Sequence, residues 1–210
     1  MIRILIADDH AIVREGLKQV LSATADMVVA GEAADGQEVL DKIRHSNWDV
    51  VVLDMTMPGL SGIDLIRRIK DEKPEQRVLV LSMHKEDQFA IRALKAGASG
   101  YLTKGSAPEL LVSAIRRVAA GGKHISRALG EKLAYELDPF VEKPAHESLS
   151  DREYQVLRLV VAGESLNHIA AELSLSPNTV STHKHRLMRK LNINSNAELI
   201  QYAISKQLFQ

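Results

Sequence analysis

The 210-residue chain contains no cysteine. That absence excludes a disulfide-stapled secreted scaffold, a cysteine nucleophile, a Cys-ligated zinc site and a thiolate-bound iron–sulfur cluster. The chain also lacks any apolar stretch near the ~18 residues that would span a bilayer. Its opening, MIRILIADDH, is a short apolar run cut off by two aspartates. It has neither the long apolar segment nor the small-residue cleavage site of a secretory leader. A cytoplasmic location without membrane contact is therefore expected. Net charge is missing too, since 27 Lys and Arg balance 27 Asp and Glu. The cancellation hides a local bias. Residues 1–122 and 123–148 each sum to −1, and residues 149–210 to +2. From Pro177 to Leu191 there are four cations, two histidines and no acid, a stripe that the total conceals.

What is present points to two globular domains. Apolar residues make up 45% of the chain and charged residues 26%, and 210 residues suit two domains of ordinary size. Over the first 120 residues one pattern repeats: a short β-branched apolar run, a turn, then a helical period. The runs begin near Ile2, Met27, Asp49, Arg77 and Gly100, and each gap is long enough for one crossover helix. Runs such as VVVL and VLVL do not alternate with polar residues, as expected of strands covered on both faces. The reading is α/β, a five-stranded doubly wound parallel sheet.

Helix starts carry their own marks. Ser106, Ser150 and Ser195 each stand three residues before a glutamate, the form of a capping box. Ser176 precedes a proline suited to a first helical position. After Gly121-Gly122 the pattern changes. A short helix fits residues 126–137, Asp138-Pro139 breaks it, and residues 122–147 read as a linker. Residues 148–210 contain no strand-like run and read as four helices near 151–162, 166–173, 177–191 and 196–206.

In open α/β sheets, ligands bind outside the carboxyl ends of the strands, where strand order reverses. Those ends carry Asp8-Asp9, Asp54, Ser82 and Thr103-Lys104. Three converging carboxylates repel one another and favour a bound cation. Oxygen donors without sulfur suit Mg²⁺ or a similar hard ion. A lysine suits a dianionic group as a point charge, and the Ser82 hydroxyl can donate to the same group. Asp54 is then a candidate nucleophile that would carry a phosphoryl group as an acyl phosphate. Trp48 reads as packing, and Met55, Met57 and Met83 as local fill.

The segments ADDH at 7–10, VLDMTMPGLSG at 52–62, LS at 81–82 and AGASGYLTK at 96–104 resemble the receiver domain of bacterial response regulators, a flavodoxin-like fold. The resemblance implies that a sensor histidine kinase phosphorylates Asp54. It implies that Asp9 binds Mg²⁺ directly and Asp8 through water, with the Thr56 carbonyl contributing. Ser82 and Tyr101 would be the switch pair, Ser82 being a mild variant of the usual threonine.

Farther along, LNHIAAEL, the turn at 174–176 and PNTVSTHKHRLMRKL read as helix, tight turn, helix. Ile169, Leu173, Val180, Leu187 and Leu191 fall on inward faces. The opposite face of the second helix carries Asn178, Thr179, Ser181, Thr182, Lys184, His185 and Arg189. Short polar side chains suit base edges and cations suit phosphates. Lys184, Arg186 and Lys190 are assigned to the phosphates. The segment resembles the LuxR-type helix-turn-helix, and a receiver followed by it is the NarL/FixJ arrangement. Two positions that often carry charge in that family differ here: Leu166-Asn167-His168 replaces Asn-Lys-Glu, and Asn178 replaces lysine.

The whole reads as a receiver at 1–121, a linker at 122–147 and a DNA-binding domain at 148–210. A dimer on inverted-repeat DNA is expected, switched by release of an interdomain arrangement. On the last helix, Ile200, Ala203 and Ile204 are expected to pack inward, leaving Leu199 and Tyr202 for a second copy. Two other classes compete. A flavin protein would need a phosphate-cradling loop where Asp8-Asp9 stand. A Mg²⁺-dependent aspartyl-phosphate phosphatase would want a second aspartate where Thr56 stands.

Overall fold

The computed structural model describes residues 1–60, 62–83, 88–137, 144–173, 175–206 and 208–209. The chain divides into two compact units, Met1–Leu133 and Ala134–Gln210. Among the described residues, no helix is long and apolar enough to cross a membrane.

The first unit is a five-stranded parallel sheet: β1 (Ile2–Ala7), β2 (Met27–Ala33), β3 (Val50–Asp54), β4 (Val78–Ser82) and β5 (Gly100–Thr103). Each starts within one residue of its sequence expectation. The order is β2-β1-β3-β4-β5. β3 and β4 are buried along their whole length, which is why their sequences lack alternation. The connecting helices are α1 (Ala11–Ser22), α2 (Gly36–His45), α3 (Gly62–Glu72) and α4 (Gln88–Lys95), with α5 (Pro108–Ala119) after β5. One layer of the core joins Ile4, Ile6, Val50, Val52 and Leu79 to Leu111, Ile115 and Val118 of α5.

Two glycines are required by close approach. A Cβ on Gly36 would lie 1.8 Å from the Leu60 carbonyl oxygen, and one on Gly31 would lie 2.5 Å from the Trp48 ring. Trp48 is indeed a packing residue. Its indole N–H donates to the Lys42 carbonyl at 3.0 Å, and Arg3 lies over its ring. Met55 and Met57 are buried, whereas Met83 is 76% exposed and fills nothing. Ser106 does not cap α5. The N-cap is Ala107, without a side-chain bond, ahead of a proline. The Ser106 hydroxyl instead pairs with Thr103.

The stretch read as linker is ordered at its start. His124 exchanges backbone bonds with the edge strand, donating to Ser99 and accepting from Tyr101. Leu129 of α6 (Arg127–Leu137) is fully buried. The predicted break at Asp138-Pro139, residues 138–143 of the linker, and Ser174 of the tight turn lie outside the described residues.

The second unit holds a 3₁₀ turn (Ala145–Ser148), α7 (Asp151–Val161), α8 (Leu166–Glu172), α9 (Pro177–Leu191) and α10 (Asn196–Ser205). Ser150 forms the complete capping box with Glu153. Ser195 caps α10, but the Glu198 carboxylate reaches back to the Asn194 amide rather than to that of Ser195. Ser165 caps α8 and Ser176 caps α9. Asn192 ends α9 in the left-handed region, where asparagine substitutes for glycine.

The face of α10 is rotated from the sequence expectation. Leu199 and Ala203 are fully buried, while Ile200 and Ile204 are 38% and 63% exposed. Tyr202 is half-buried, and its hydroxyl accepts from the His146 amide at 3.2 Å and contacts His146 Nδ1 at 3.0 Å. This pairing fastens the 3₁₀ turn to α10.

Candidate functional site

Strand register builds the first site. Ala7 pairs with Leu53, which sets Asp8 level with Asp54 at the carboxyl ends of the adjacent strands β1 and β3. Ser82 pairs with Thr103, so the next residue, Lys104, projects from the same edge. The Lys104 amide donates to the Ser82 carbonyl at 2.7 Å and holds that end closed. The order of the sheet changes direction between β1 and β3, and a crevice opens there.

Asp8 and Asp54 are buried. Lys104 Nζ lies 2.7 Å from Asp8 Oδ2 and 3.2 Å from Asp54 Oδ2. The Thr56 hydroxyl donates to Asp54 Oδ2 at 3.1 Å. Asp54 Oδ1 is buried and has no hydrogen-bond partner among the described residues. Burial pushes the Asp54 carboxyl above the ordinary carboxylate range, and the charge of Asp8 adds to that push against the pull of Lys104. For Lys104, burial acts to lower the ammonium. The hydrogen bond to Asp8 and the charges of Asp54 and Asp8 outweigh it, so the net shift is upward. A lysine held charged beside two buried carboxylates leaves the cluster short of positive charge once Asp9 is counted.

Asp9 is partly exposed, and His10 Nδ1 sits 2.8 Å from its Oδ1. Asp8, Asp9, His10 and Asp54 each place a ligand atom within 4.8 Å of the others. The unpartnered Asp54 oxygen and this donor set fit a divalent cation. The sequence reading missed two neighbours. His10 is one; the other is Arg14, whose guanidinium donates to the Asp8 carbonyl at 2.7 Å. Their spacing from Asp8 on a helix start was the available signal. Ser82 and Tyr101 are both buried; Ser82 is the last residue of β4, and Tyr101 is the second of the neighbouring β5, level with Val80.

The second site is one face of α9. Val180, Leu187 and Leu191 are buried, as are Ile169 and Leu173 across the turn. Asn178, Thr182, His185, Arg186 and Arg189 are exposed, and Thr179, Ser181 and Lys184 are half-buried. Lys184, Arg186 and Arg189 form no ion pair among the described residues. Two expected contacts are already engaged. The Thr179 hydroxyl pairs with Ser176 in the helix cap, and the Thr182 hydroxyl donates to the Asn178 carbonyl.

Lys190 departs from its assignment. Its ammonium donates to Glu153 at 2.7 Å and to the Ser148 carbonyl at 3.1 Å, so it closes the base of α7 rather than standing on the open face. Glu153 is buried. Burial raises its carboxyl, but the bonds from Lys190 and from Ser150 prevail and hold it below the ordinary range. His183, unlike His185, is turned partly inward, and burial together with Arg186 pushes its imidazole down. His168 is exposed and pairs with Glu164.

Comparison with known proteins agrees with both halves. Residues 4–116 match the family described as response regulator receiver domain, and residues 147–203 match the bacterial regulatory proteins of the luxR family. The chain is 36% identical to the response regulator UvrY of Escherichia coli over 97% of its own length and 94% of the relative's. It is 38% identical to the response regulator GacA of Pseudomonas viridiflava, covering 97% and 96%. Among solved structures it is similar to RcsB of Salmonella enterica serovar Typhimurium bound to the promoter rprA in the presence of phosphomimetic BeF₃⁻. That likeness has a TM-score of 0.68 at 29% identity, covering 98% of this chain and all of that one. The parallel sheet with its acidic edge and the helical unit with its basic helix thus belong together: the chain is a member of the two-component response regulators that join a receiver domain to a LuxR-type DNA-binding domain.

Proposed function

We propose that Asp54 accepts a phosphoryl group from a sensor histidine kinase and that the modified chain regulates transcription as a dimer on inverted-repeat DNA. The reading is carried by the convergence of Asp8, Asp9, Asp54 and Lys104 on one sheet edge, in a chain whose other unit contains a helix-turn-helix. A carboxylate oxygen of Asp54 attacks phosphorus. The new O–P bond forms as the P–N bond of the kinase's phosphohistidine breaks, and the electron pair remains on the imidazole nitrogen. Lys104 answers the negative charge of the arriving group. Asp8, Asp9, Asp54 and the Thr56 carbonyl would hold Mg²⁺, which supplies charge neutralisation at the phosphoryl oxygens when bound. Ser82 would donate to the attached phosphoryl group, with Tyr101 responding as its switch partner.

Residues 1–121 serve as the phosphoacceptor, residues 148–210 bind DNA and residues 122–147 join them. Asn178, Ser181 and Thr182 face bases, with Thr179 and His185 beside them, while Lys184, Arg186 and Arg189 meet phosphates. Two half-sites about one helical turn apart, roughly 10 bp, would match a two-fold dimer. Its contact is assigned to the outward pair Ile200 and Ile204 of α10. Phosphorylation acts by favouring one of two arrangements of the chain. The reaction at Asp54 is a self-modification, so the protein acts as a regulator rather than as a turnover enzyme, and a cytoplasmic location follows from DNA as the target.

The test is incubation with a small phosphodonor and Mg²⁺. Stoichiometric labelling that Asp54→Asn abolishes, together with tighter inverted-repeat binding that Ile204→Asp weakens more than half-site binding, is the expected outcome. Undiminished labelling in Asp54→Asn or in excess chelator overturns it.

A further inference from the structure

Asp9 stands two residues beyond the end of β1, and a planar peptide joins it to Asp8. Turning that peptide moves the Asp9 carboxylate. We infer that Arg14 is a positioning residue for phosphoryl transfer: its guanidinium ties the Asp8–Asp9 peptide to Glu32 of β2 and so places the Asp9 carboxylate for the cation. This rests on the acidic pocket being the Mg²⁺ site of the phosphoacceptor, as read above.

The contact runs through both ends of the guanidinium. Arg14 Nη1 donates to the Asp8 carbonyl at 2.7 Å, and Nε donates to Glu32 Oε2 at 3.0 Å. Glu32 Oε1 accepts from Lys18 at 2.8 Å. Lys18 and Arg14 together hold the Glu32 carboxyl below the ordinary carboxylate range, so the anchor stays charged at neutral pH. Other groups fasten the rest of Asp8. Its amide donates to the Ala33 carbonyl at 3.1 Å, its Oδ1 accepts from the His10 amide at 2.9 Å, and Lys104 Nζ lies 2.7 Å from its Oδ2. The carbonyl is the remaining handle, and Arg14 takes it. Without that bond the peptide can turn about ψ of Asp8 and φ of Asp9.

Two features of the backbone serve this contact. Arg14 is the fourth residue of α1, close to the helix end where the dipole opposes a cation. Helix side chains lean toward the N-terminus, which carries the guanidinium back past the helix start to Asp8. It is 18% exposed there, so solvation does not account for its place. The second feature is a slip in register. Ile4 pairs with Val29 and Leu5 with Gly31, passing over Ala30. A slip of one residue exchanges the faces of a strand. Without it Gly31 would stand opposite Ile6. With it Glu32 does, on the face where Ile6 packs with Leu21 of α1. The extra residue thus turns Glu32 toward Arg14.

A guanidinium is a rigid fork that serves two acceptors in fixed directions, whereas an ammonium is a single point. Charge alone predicts the opposite outcome from positioning. Arg14 is a cation near a cation site, so by Coulomb repulsion its removal would tighten Mg²⁺ binding. Loss of placement weakens it.

The experiment is calorimetric Mg²⁺ titration of the full chain together with labelling by a small phosphodonor, after urea unfolding read at Trp48 shows each variant folded. Residues that orient metal ligands are worth about tenfold or more in affinity. Arg14→Met should therefore weaken Mg²⁺ binding about tenfold, and Arg14→Lys nearly as much although it keeps the charge. Lys18→Met, which touches Glu32 but not Asp8, should change it by less than about twofold. Labelling of Arg14→Met should be slow at the Mg²⁺ concentration that saturates the wild type, and return to within about threefold of wild type once Mg²⁺ saturates the variant. Unchanged or tighter Mg²⁺ binding in Arg14→Met, or wild-type affinity in Arg14→Lys, overturns the role of Arg14 and leaves the cation site standing. If Arg14→Met does not fold, Arg14→Lys decides by the same criterion. No Mg²⁺ binding by the wild type overturns the cation site and this inference together.

Discussion

In the first unit, Asp8, Asp54 and Lys104 come from three different strand ends and meet in a buried cluster at 2.7–3.2 Å. In the second, Lys184, Arg186 and Arg189 come from one helix, Lys184 half-buried and the two arginines exposed, without an ion pair among the described residues. The contrast follows from what each kind of chemistry needs. A group that must bind one small dianion and one cation gains from low dielectric and exact placement, and residues far apart in sequence supply that by way of a rigid sheet. A surface that meets a long line of phosphates needs only cations at helical spacing. Burying them would add a desolvation cost without adding contacts.

Lys190 marks the border between the two modes. It lies in the same basic stripe as Arg186 and Arg189, but the buried Glu153 captures it. The stripe therefore divides into cations without an ion pair among the described residues and one cation held by the fold.

The largest effect that would sharpen this comparison concerns the sheet unit. Gly36→Ala sets a Cβ against the Leu60 carbonyl, a backbone atom that cannot swing away. A loss of roughly 2–4 kcal/mol is expected, read by urea unfolding through the fluorescence of Trp48, the single tryptophan. A loss below about 0.5 kcal/mol would show that the α2 start is not braced there.

Next come the paired variants on α9. Arg186→Ala should lower the salt slope of DNA binding by about one unit at all sequences and leave stability nearly unchanged. Lys190→Ala should do the reverse. It strips a partner from the buried Glu153 and costs the second unit about 1–2 kcal/mol, discounted because Lys190 is itself partly exposed. Salt titrations and amide exchange on α7 read the two effects separately. Equal salt slopes for the two variants would erase the division of the stripe.

The smallest effect is in pH. The Glu153 carboxyl is held low in the folded chain, after the bonds from Lys190 and Ser150 overcome its burial. Its contribution is therefore fully present above the ordinary carboxylate range and is lost as pH falls through the depressed value. Protection of the α7 amides should decline on acidification, and the decline should flatten in Glu153→Gln. A protection profile that is as steep in the variant would assign the acid sensitivity elsewhere.

Several features were legible because they are local or periodic. The five strand starts followed from unbroken β-branched runs, and the inward set Ile169, Val180, Leu187 and Leu191 followed from the helical period. Ser150 and Ser176 announced their caps. The same local rules failed where a neighbour outbid them. Pro108 opens α5 one residue later than a Ser106 cap would set it, and the Ser106 hydroxyl turns to Thr103. Met83 lies just past β4 and is exposed. On α10, sequence offered two apolar faces about equally rich, Ile200 with Ile204 and Leu199 with Tyr202. Burial chose Leu199 and Ala203, while His146 claimed the Tyr202 hydroxyl from outside the helix.

The sequence alone thus determined the strand-and-helix alternation, the division into a sheet half and a helical half, and the residue types at each strand end. Periodicity and turn chemistry act over a few residues and need no knowledge of the rest of the chain. Only the tertiary structure decided that Lys104 faces Asp8 and Asp54, that Glu153 retains Lys190, that His124 joins the sheet edge and that His10 turns toward Asp9. Each of these depends on strand register or on contact between groups distant in sequence. Such pairings are chosen by the free energy of burying or satisfying charge once the elements have packed, which no local pattern encodes.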